Sequence, residues 1–186
     1  MALQRAIGRL GITRDDVFVD YGSGLGRAVL VAAMLPFRRV MGVELSEEMT
    51  QRARVNIERN RHRLRAAGIE LVTADALDWQ VPPDLTIAYF YSPFLGEGFD
   101  GVVQKLFASV DENPRPLRVV YNYPVEHSRL IRTGRVCVLH VVSSQWLGRS
   151  LNTGNVIVTY LVLPSDSALR REYVARFPQR LRGAEQ

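Results

Sequence analysis

The chain has 186 residues, 47% of them hydrophobic, with a formal net charge of +5 and a pI of about 9.8. That is ample apolar material for one core and too little length for two ordinary domains. Apolar runs such as Val136–Val142 and Val156–Leu163 fall far short of the ~20 residues of a membrane-spanning helix, no signal-type leader opens the chain, and the lone Cys137 reads as a buried thiol that forms no intrachain disulfide, which together favour the cytoplasm.

An opening amphipathic helix (Leu3, Ile7, Leu10) precedes a short apolar strand, Val17–Val19, that ends in Asp20. A turn with glycine at every second position follows: Gly22, Ser23, Gly24, Leu25, Gly26. Without Cβ atoms, such a backbone turns sharply and approaches a ligand closely. The Ala-, Val- and Leu-rich segment from Arg27 to Leu35 is predicted as a helix that Pro36 stops, with its amino end toward that ligand. The dinucleotide pattern G-x-G-x-x-G fails here, because Arg27 stands where its third glycine belongs. What remains is D-x-G-x-G-x-G, from Asp20 to Gly26.

A second strand, Arg38–Glu44, also ends in an acid, twenty residues after Gly24. Nucleotide-binding α/β folds place an acid about there to accept ribose hydroxyls. Ser46 suits the cap of the next helix, and Glu47 and Glu48 already serve its dipole, so Glu44 is left for the ribose role. That helix carries Arg52, Arg54, Arg59, Arg61, Arg63 and Arg65, with Met49, Ala53, Ile57 and Leu64 as its apolar side and Gly68 as its end. Most of the arginines fall on the solvated side, and nucleic-acid binding stays open. A third strand, Glu70–Ala74, closes at Asp75-Ala76.

The fourth strand, Leu85–Phe90, delivers Tyr91-Ser92-Pro93-Phe94. A helix over Phe99–Val110, a strand over Leu117–Asn122 and a short helix over Pro124–Ile131 come next. Two strands, Val136–Val142 and Val156–Leu163, then follow with no helix between them and form a hairpin. The tail after Pro164 is polar, either a short helix or a frayed end, which leaves residues 1–164 as the domain and 165–186 as the tail. His62, His127 and His140 have no metal-ligand spacing, and His140 reads as a core or cross-strand residue.

Alternating strands and helices imply a parallel sheet. Asp20, Glu44 and Asp75 each close one of three successive strands, so parallel pairing brings all three to one sheet edge, where ligands of open α/β folds bind. The hairpin loop from Ser143 to Asn155, with Trp146 and Arg149, would hang over the same edge.

The D-x-G-x-G-x-G turn resembles the first motif of the class I S-adenosylmethionine-dependent methyltransferases, and the likeness extends over roughly residues 14–124. It implies a Rossmann-like, doubly wound α/β fold with a seven-stranded, mostly parallel sheet and a terminal antiparallel hairpin strand. It further implies that Asp20 meets the ammonium of the methionine part, that the turn of Gly22, Ser23, Gly24 and Gly26 passes beneath the cofactor, that Glu44 holds the ribose, and that Asp75 with Ala76 meets the adenine. The Tyr91-Ser92-Pro93-Phe94 segment resembles the fourth motif of amino-directed methyltransferases, which makes Ser92, Phe94 and Tyr91 the acceptor-side candidates. It departs from that motif in having Ser92 for the commoner Asn or Asp, and a single proline.

The D-x-G-S-G-x-G turn and the Val43-Glu44 pair also resemble bacterial relatives of the non-SET histone lysine methyltransferases. That implies protein lysine as one acceptor class beside RNA and small amines, by analogy of fold. Only about sixteen residues precede the first strand, where many members of the family carry a longer lid. A large acceptor bringing its own surface, a missing segment, and cofactor binding without turnover are all compatible with that. In the last case the chain is an S-adenosylmethionine-binding or interaction module, with Tyr121-Asn122-Tyr123-Pro124 and Trp146 on a partner surface.

Overall fold

In a computed structural model, residues 2–143 and 156–176 are described. They contain β1 (Val17–Tyr21), β2 (Arg39–Glu44), β3 (Gly68–Thr73), β4 (Ile87–Tyr91), β5 (Arg118–Asn122), β6 (Val136–Ser143) and β7 (Val156–Val162). The helices are α1 (Ala2–Gly8), α2 (Arg27–Ala33), α3 (Glu47–Arg59), α4 (Gly96–Glu112), α5 (His127–Arg132) and α6 (Ala168–Arg176). The seven strands form one sheet in the order β3-β2-β1-β4-β5-β7-β6. Its first five members are parallel, and β7 runs antiparallel to both β5 and β6. The expected α/β doubly wound fold with a terminal antiparallel hairpin is the one observed.

A sheet covered on both faces reads as continuous apolar strands, and every residue of β1 is buried. Side chains alternate across it. Val17, Val19 and Tyr21 enter a core with α4 and α5 residues such as Phe99, Leu106 and Leu130, while Phe18 faces Leu3, Ile7 and Val29 of α1 and α2. Asp20 shares the face of Phe18, so its carboxylate lies at the carboxyl end of the sheet on the α1–α2 side.

The amino edge is fastened by a buried polar cluster. Asp16, just before β1, pairs with Arg118 at 2.6 Å and accepts hydrogen bonds from Thr13 and from Thr86 Oγ1. Anchored there, the parallel strands bring their other ends to a common edge.

Four local expectations are corrected. The arginine-bearing helix stops at Arg59; Arg61–Arg63 form a 3-10 turn and Gly68 opens β3. Its buried positions are Thr50, Ala53 and Ile57, while Met49 is 43% exposed. Cys137 is half-buried. His140 is the cross-strand partner of Thr159, as one of its two expected readings has it, but it is exposed and not in the core, beside a register shift in β6. Both β6 corrections have one cause: β6 is an edge strand. The polar tail contains α6, and the Ser143–Asn155 loop with Trp146 and Arg149 lies, apart from the end of β6, outside the described residues.

Candidate functional site

The glycine turn continues the β1–β2 pairing past the strand end, since Gly22 and Ser23 N–H groups donate to the Val43 carbonyl at 2.9 and 3.0 Å. Gly22, Gly24 and Gly26 have φ of 73°, 51° and 75°, a region that L side chains rarely occupy. A Cβ on Gly22 would stand 2.6 Å from Cβ of Pro93, so the loops after β1 and β4 meet at that glycine. A Cβ on Gly24 would meet nothing within 4 Å. Its backbone N–H instead donates to Glu44 Oε2 at 2.8 Å, while Ser46 N–H donates to Oε1 at 3.0 Å.

Two clefts meet at Gly22. The larger, about 500 Å³, runs between Glu44 and Leu45 on one side and Asp75, Ala76 and Leu77 on another, with Pro93 and Phe94 completing it. Asp75 is exposed; its Oδ1 accepts the Leu77 N–H at 2.8 Å and its carbonyl accepts from Asp78 and Trp79, which fixes the turn after β3. Leu45 and Leu77 are 71% and 43% exposed and present apolar surface to the groove. Phe94 stands edge-on to Phe90, with ring centroids 6.4 Å apart.

The smaller cleft, about 280 Å³, is lined by Asp20, Gly22, Ser23 and Arg27, by Tyr89, Tyr91 and Asn122, and by Leu3 and two residues of α2. Register explains this company. Asp20 is the partner of Tyr89, and Tyr91 of Asn122, so with a side-chain period of two all four point to the same face. Asn122 Nδ2 donates to the Tyr89 hydroxyl at 3.1 Å. The Asp20 carboxyl is pushed up to about 8, first by burial and then by the nearby Glu44 charge. Burial likewise raises the Tyr89 phenol, with the Asn122 hydrogen bond opposing.

The cofactor-side candidates are thus brought to one carboxyl edge, but on two sides of Gly22: Asp20 and Ser23 in the smaller cleft, Glu44, Asp75 and Ala76 in the larger. The acceptor-side candidates divide. Tyr91 is 61% exposed in the Asp20 cleft, and Phe94 lines the Glu44 groove. Ser92 is among the residues lining neither; it has φ 43° and donates its hydroxyl to the Tyr123 carbonyl, Tyr123 itself having φ 55°. Sequence reasoning passed over Arg27, Leu45, Leu77, Tyr89 and Asn122 as lining residues. Leu45 and Leu77 directly follow the strand-ending acid and the Asp75-Ala76 pair, and Asn122 ends a strand at the same edge, so the register logic applied to the acids would have found them. A further cleft of about 480 Å³, lined by Arg54, Arg61, Leu64 and Ile69, lies along β3 and shares none of these residues.

Residues 1–78 match the family model described as "Histone methylation protein DOT1", which covers less than half of the chain. No curated protein matches the sequence. Among solved structures, an RNA methyltransferase from Salinibacter ruber in complex with S-adenosyl-L-homocysteine is similar at TM-score 0.58 and 22% identity, covering 89% of this chain and 92% of that one. A S-adenosylmethionine-dependent methyltransferase from Methanosarcina mazei is similar at TM-score 0.65 and 13% identity, covering 86% and 98%. A glycopeptide N-methyltransferase complexed with sinefungin is similar at TM-score 0.63 and 12% identity, covering 88% and 85%. With its strand order, its terminal antiparallel hairpin and these likenesses, the chain has the fold of the class I S-adenosylmethionine-dependent methyltransferases.

Proposed function

We propose that the chain binds S-adenosylmethionine across Gly22 and transfers its methyl group to an acceptor approaching the cleft of Asp20, Tyr91 and Asn122. The observation that carries this reading is the meeting of two differently built clefts at one glycine. The larger suits an adenosine: Glu44 keeps free lone pairs on both oxygens for ribose hydroxyls, and Leu45 and Leu77 offer apolar faces to a planar ring. Asp75 and the Ala76 backbone stand at the adenine end. The smaller suits a zwitterionic amino-acid end, with the Asp20 carboxyl for the ammonium and Arg27 for the carboxylate. The residues present therefore fit the cofactor.

When bound, the cofactor supplies an electrophilic methyl: the acceptor's lone pair forms the new bond to carbon, the carbon–sulfur pair stays on sulfur, and an amine acceptor then sheds a proton to water. The chain's task is alignment, which contributes up to ~7–11 kcal/mol of barrier lowering in well-oriented systems. Gly22 lets the Pro93 loop close on the turn where the two clefts meet, and Tyr91 offers a π face to developing positive charge.

The test is calorimetric titration with S-adenosylhomocysteine beside NADH, followed by incubation of radiolabelled donor with fractionated protein, RNA and small amines. Binding of the methyl-donor product and label transfer to one fraction are expected. Preference for NADH refutes the cofactor assignment, and tight binding without transfer to any fraction refutes the catalytic one in favour of a binding module.

A further inference from the structure

Ser92, which directly follows β4 and is the acceptor-side hydroxyl suggested by the sequence, is otherwise engaged. Ser92 donates to the Tyr123 carbonyl and is not among the residues lining the Asp20 cleft. One strand over, Asn122 ends β5 in register with Tyr91, and its side chain lines that cleft. Its Nδ2 is held by the Tyr89 hydroxyl at 3.1 Å. That hydrogen bond fixes the amide plane and leaves Oδ1 as a lone acceptor, with no donor among the described residues and not sealed from solvent. A carbonyl oxygen in this position wants an N–H or O–H. Its neighbours decide between them. With the Asp20 carboxyl taken by the ammonium of the cofactor, Tyr91 is left on the acceptor side, and its exposed ring face favours a group that carries or develops positive charge.

We propose that Asn122 is the acceptor-positioning residue of this site, its Oδ1 accepting a hydrogen bond from the N–H of a nitrogen acceptor so that the lone pair faces the donor. The inference rests on the methyltransferase reading above and deepens it by naming the acceptor atom class as nitrogen. Arg27, the one basic residue lining the cleft among the described residues, is consistent with it only as the partner of the amino-acid carboxylate.

The acceptor is unidentified, so the test uses two cofactor analogues. Sinefungin carries an amine at the atom that bears the methyl in the donor, and S-adenosylhomocysteine carries nothing there. Their affinities are measured by calorimetry on the whole chain and on Asn122→Ala and Asn122→Asp, with melting curves to show that each is folded. The wild-type chain is expected to prefer sinefungin about tenfold, the scale of one hydrogen bond to a charged group. Asn122→Ala is expected to bring that ratio close to one while S-adenosylhomocysteine affinity holds, and Asn122→Asp, which keeps an oxygen acceptor, to restore or widen it. A sinefungin preference that survives in Asn122→Ala, or a parallel loss of both ligands, overturns the assignment of Asn122 alone. Failure of the wild-type chain to bind either analogue overturns the cofactor reading and this inference with it.

Discussion

Glu44 Oε2 accepts the backbone N–H of Gly24 at 2.8 Å, across twenty residues of sequence. The acid at the end of β2 therefore both shapes the glycine turn after β1 and lines the groove beside it. Its two roles are separable. Glu44→Gln retains an oxygen for the Gly24 N–H but loses the charge and one acceptor, whereas Glu44→Ala loses everything. We expect Glu44→Ala to weaken S-adenosylhomocysteine binding by roughly 1–3 kcal/mol through lost charge-assisted hydrogen bonds, and Glu44→Gln to fall between it and wild type. Calorimetry on both variants checks this, and unchanged affinity in a folded Glu44→Ala removes the residue from the site.

The Asp20 carboxyl makes stability and ligand affinity respond oppositely to pH. Its folded value is pushed to about 8 from an ordinary 3.8. Between those values the folded chain holds a proton that the unfolded chain has lost, so the contribution to stability is full below the ordinary value and is lost as pH rises through about 8. Asp20→Asn has no such dependence. Its melting temperature should exceed that of wild type by a margin that widens from pH 5 to pH 8 and then levels. A ligand bearing an ammonium requires the ionised form, so S-adenosylhomocysteine affinity should climb from pH 6 to pH 8 with proton release, while adenosine affinity stays flat. A flat profile for both ligands rejects the pairing of Asp20 with the ammonium.

Gly22 tests the crossing point of the two clefts. A methyl group there would meet Pro93 at 2.6 Å on a backbone with φ of 73°. Gly22→Ala should lower the melting temperature and displace the loop after β4, costing S-adenosylhomocysteine at least about tenfold in affinity, with strain of ~1–3 kcal/mol as its source. Gly24→Val carries the same kind of backbone strain, at φ of 51°, but its side chain would enter open space and not meet a neighbour, so melting curves must first show that it is folded. On the cofactor reading it should abolish ligand binding by filling that space, and retained affinity rejects the placement.

Much of this architecture was legible because period and register are local. Val17–Val19, Arg38–Glu44 and the closing pair of strands declared themselves by apolar runs, and the acids Asp20, Glu44 and Asp75 at the ends of the first three strands marked the ligand edge. The limits of α3 were not legible. Leu64 continues the helical spacing beyond Arg59, yet the chain leaves the helix at Asn60, whose Nδ2 donates to the Asn56 carbonyl. Exposure on an edge strand was equally hidden, since the order β5-β7-β6 and not local pattern leaves Cys137 and His140 at the rim. At the site, Ser92 looked like the polar residue of interest because it precedes a proline. The structure gives its hydroxyl to Tyr123 and places Asn122 in the cleft through cross-strand register, which a local motif does not encode.

The opposite edge of the sheet supplies a prediction about stability alone. Arg118 and Asp16 pair at 2.6 Å with side chains 17% and 10% exposed. Burial acting alone would raise the Asp16 carboxyl, but hydrogen bonds from Thr13 and Thr86 and the Arg118 charge outweigh it and hold the group below its ordinary value. Its contribution is thus present above the ordinary carboxylate range and is lost as pH falls through the depressed folded value. Arg118→Ala leaves the carboxylate buried with hydroxyl and amide donors only, and should cost ~3–5 kcal/mol at neutral pH. The gap between variant and wild type should narrow on acidification, because protonated Asp16 no longer needs the guanidinium. Urea titrations at pH 7 and near pH 3 measure both values, and a gap that is the same at the two pH values shows that Arg118 acts through packing and not through its charge.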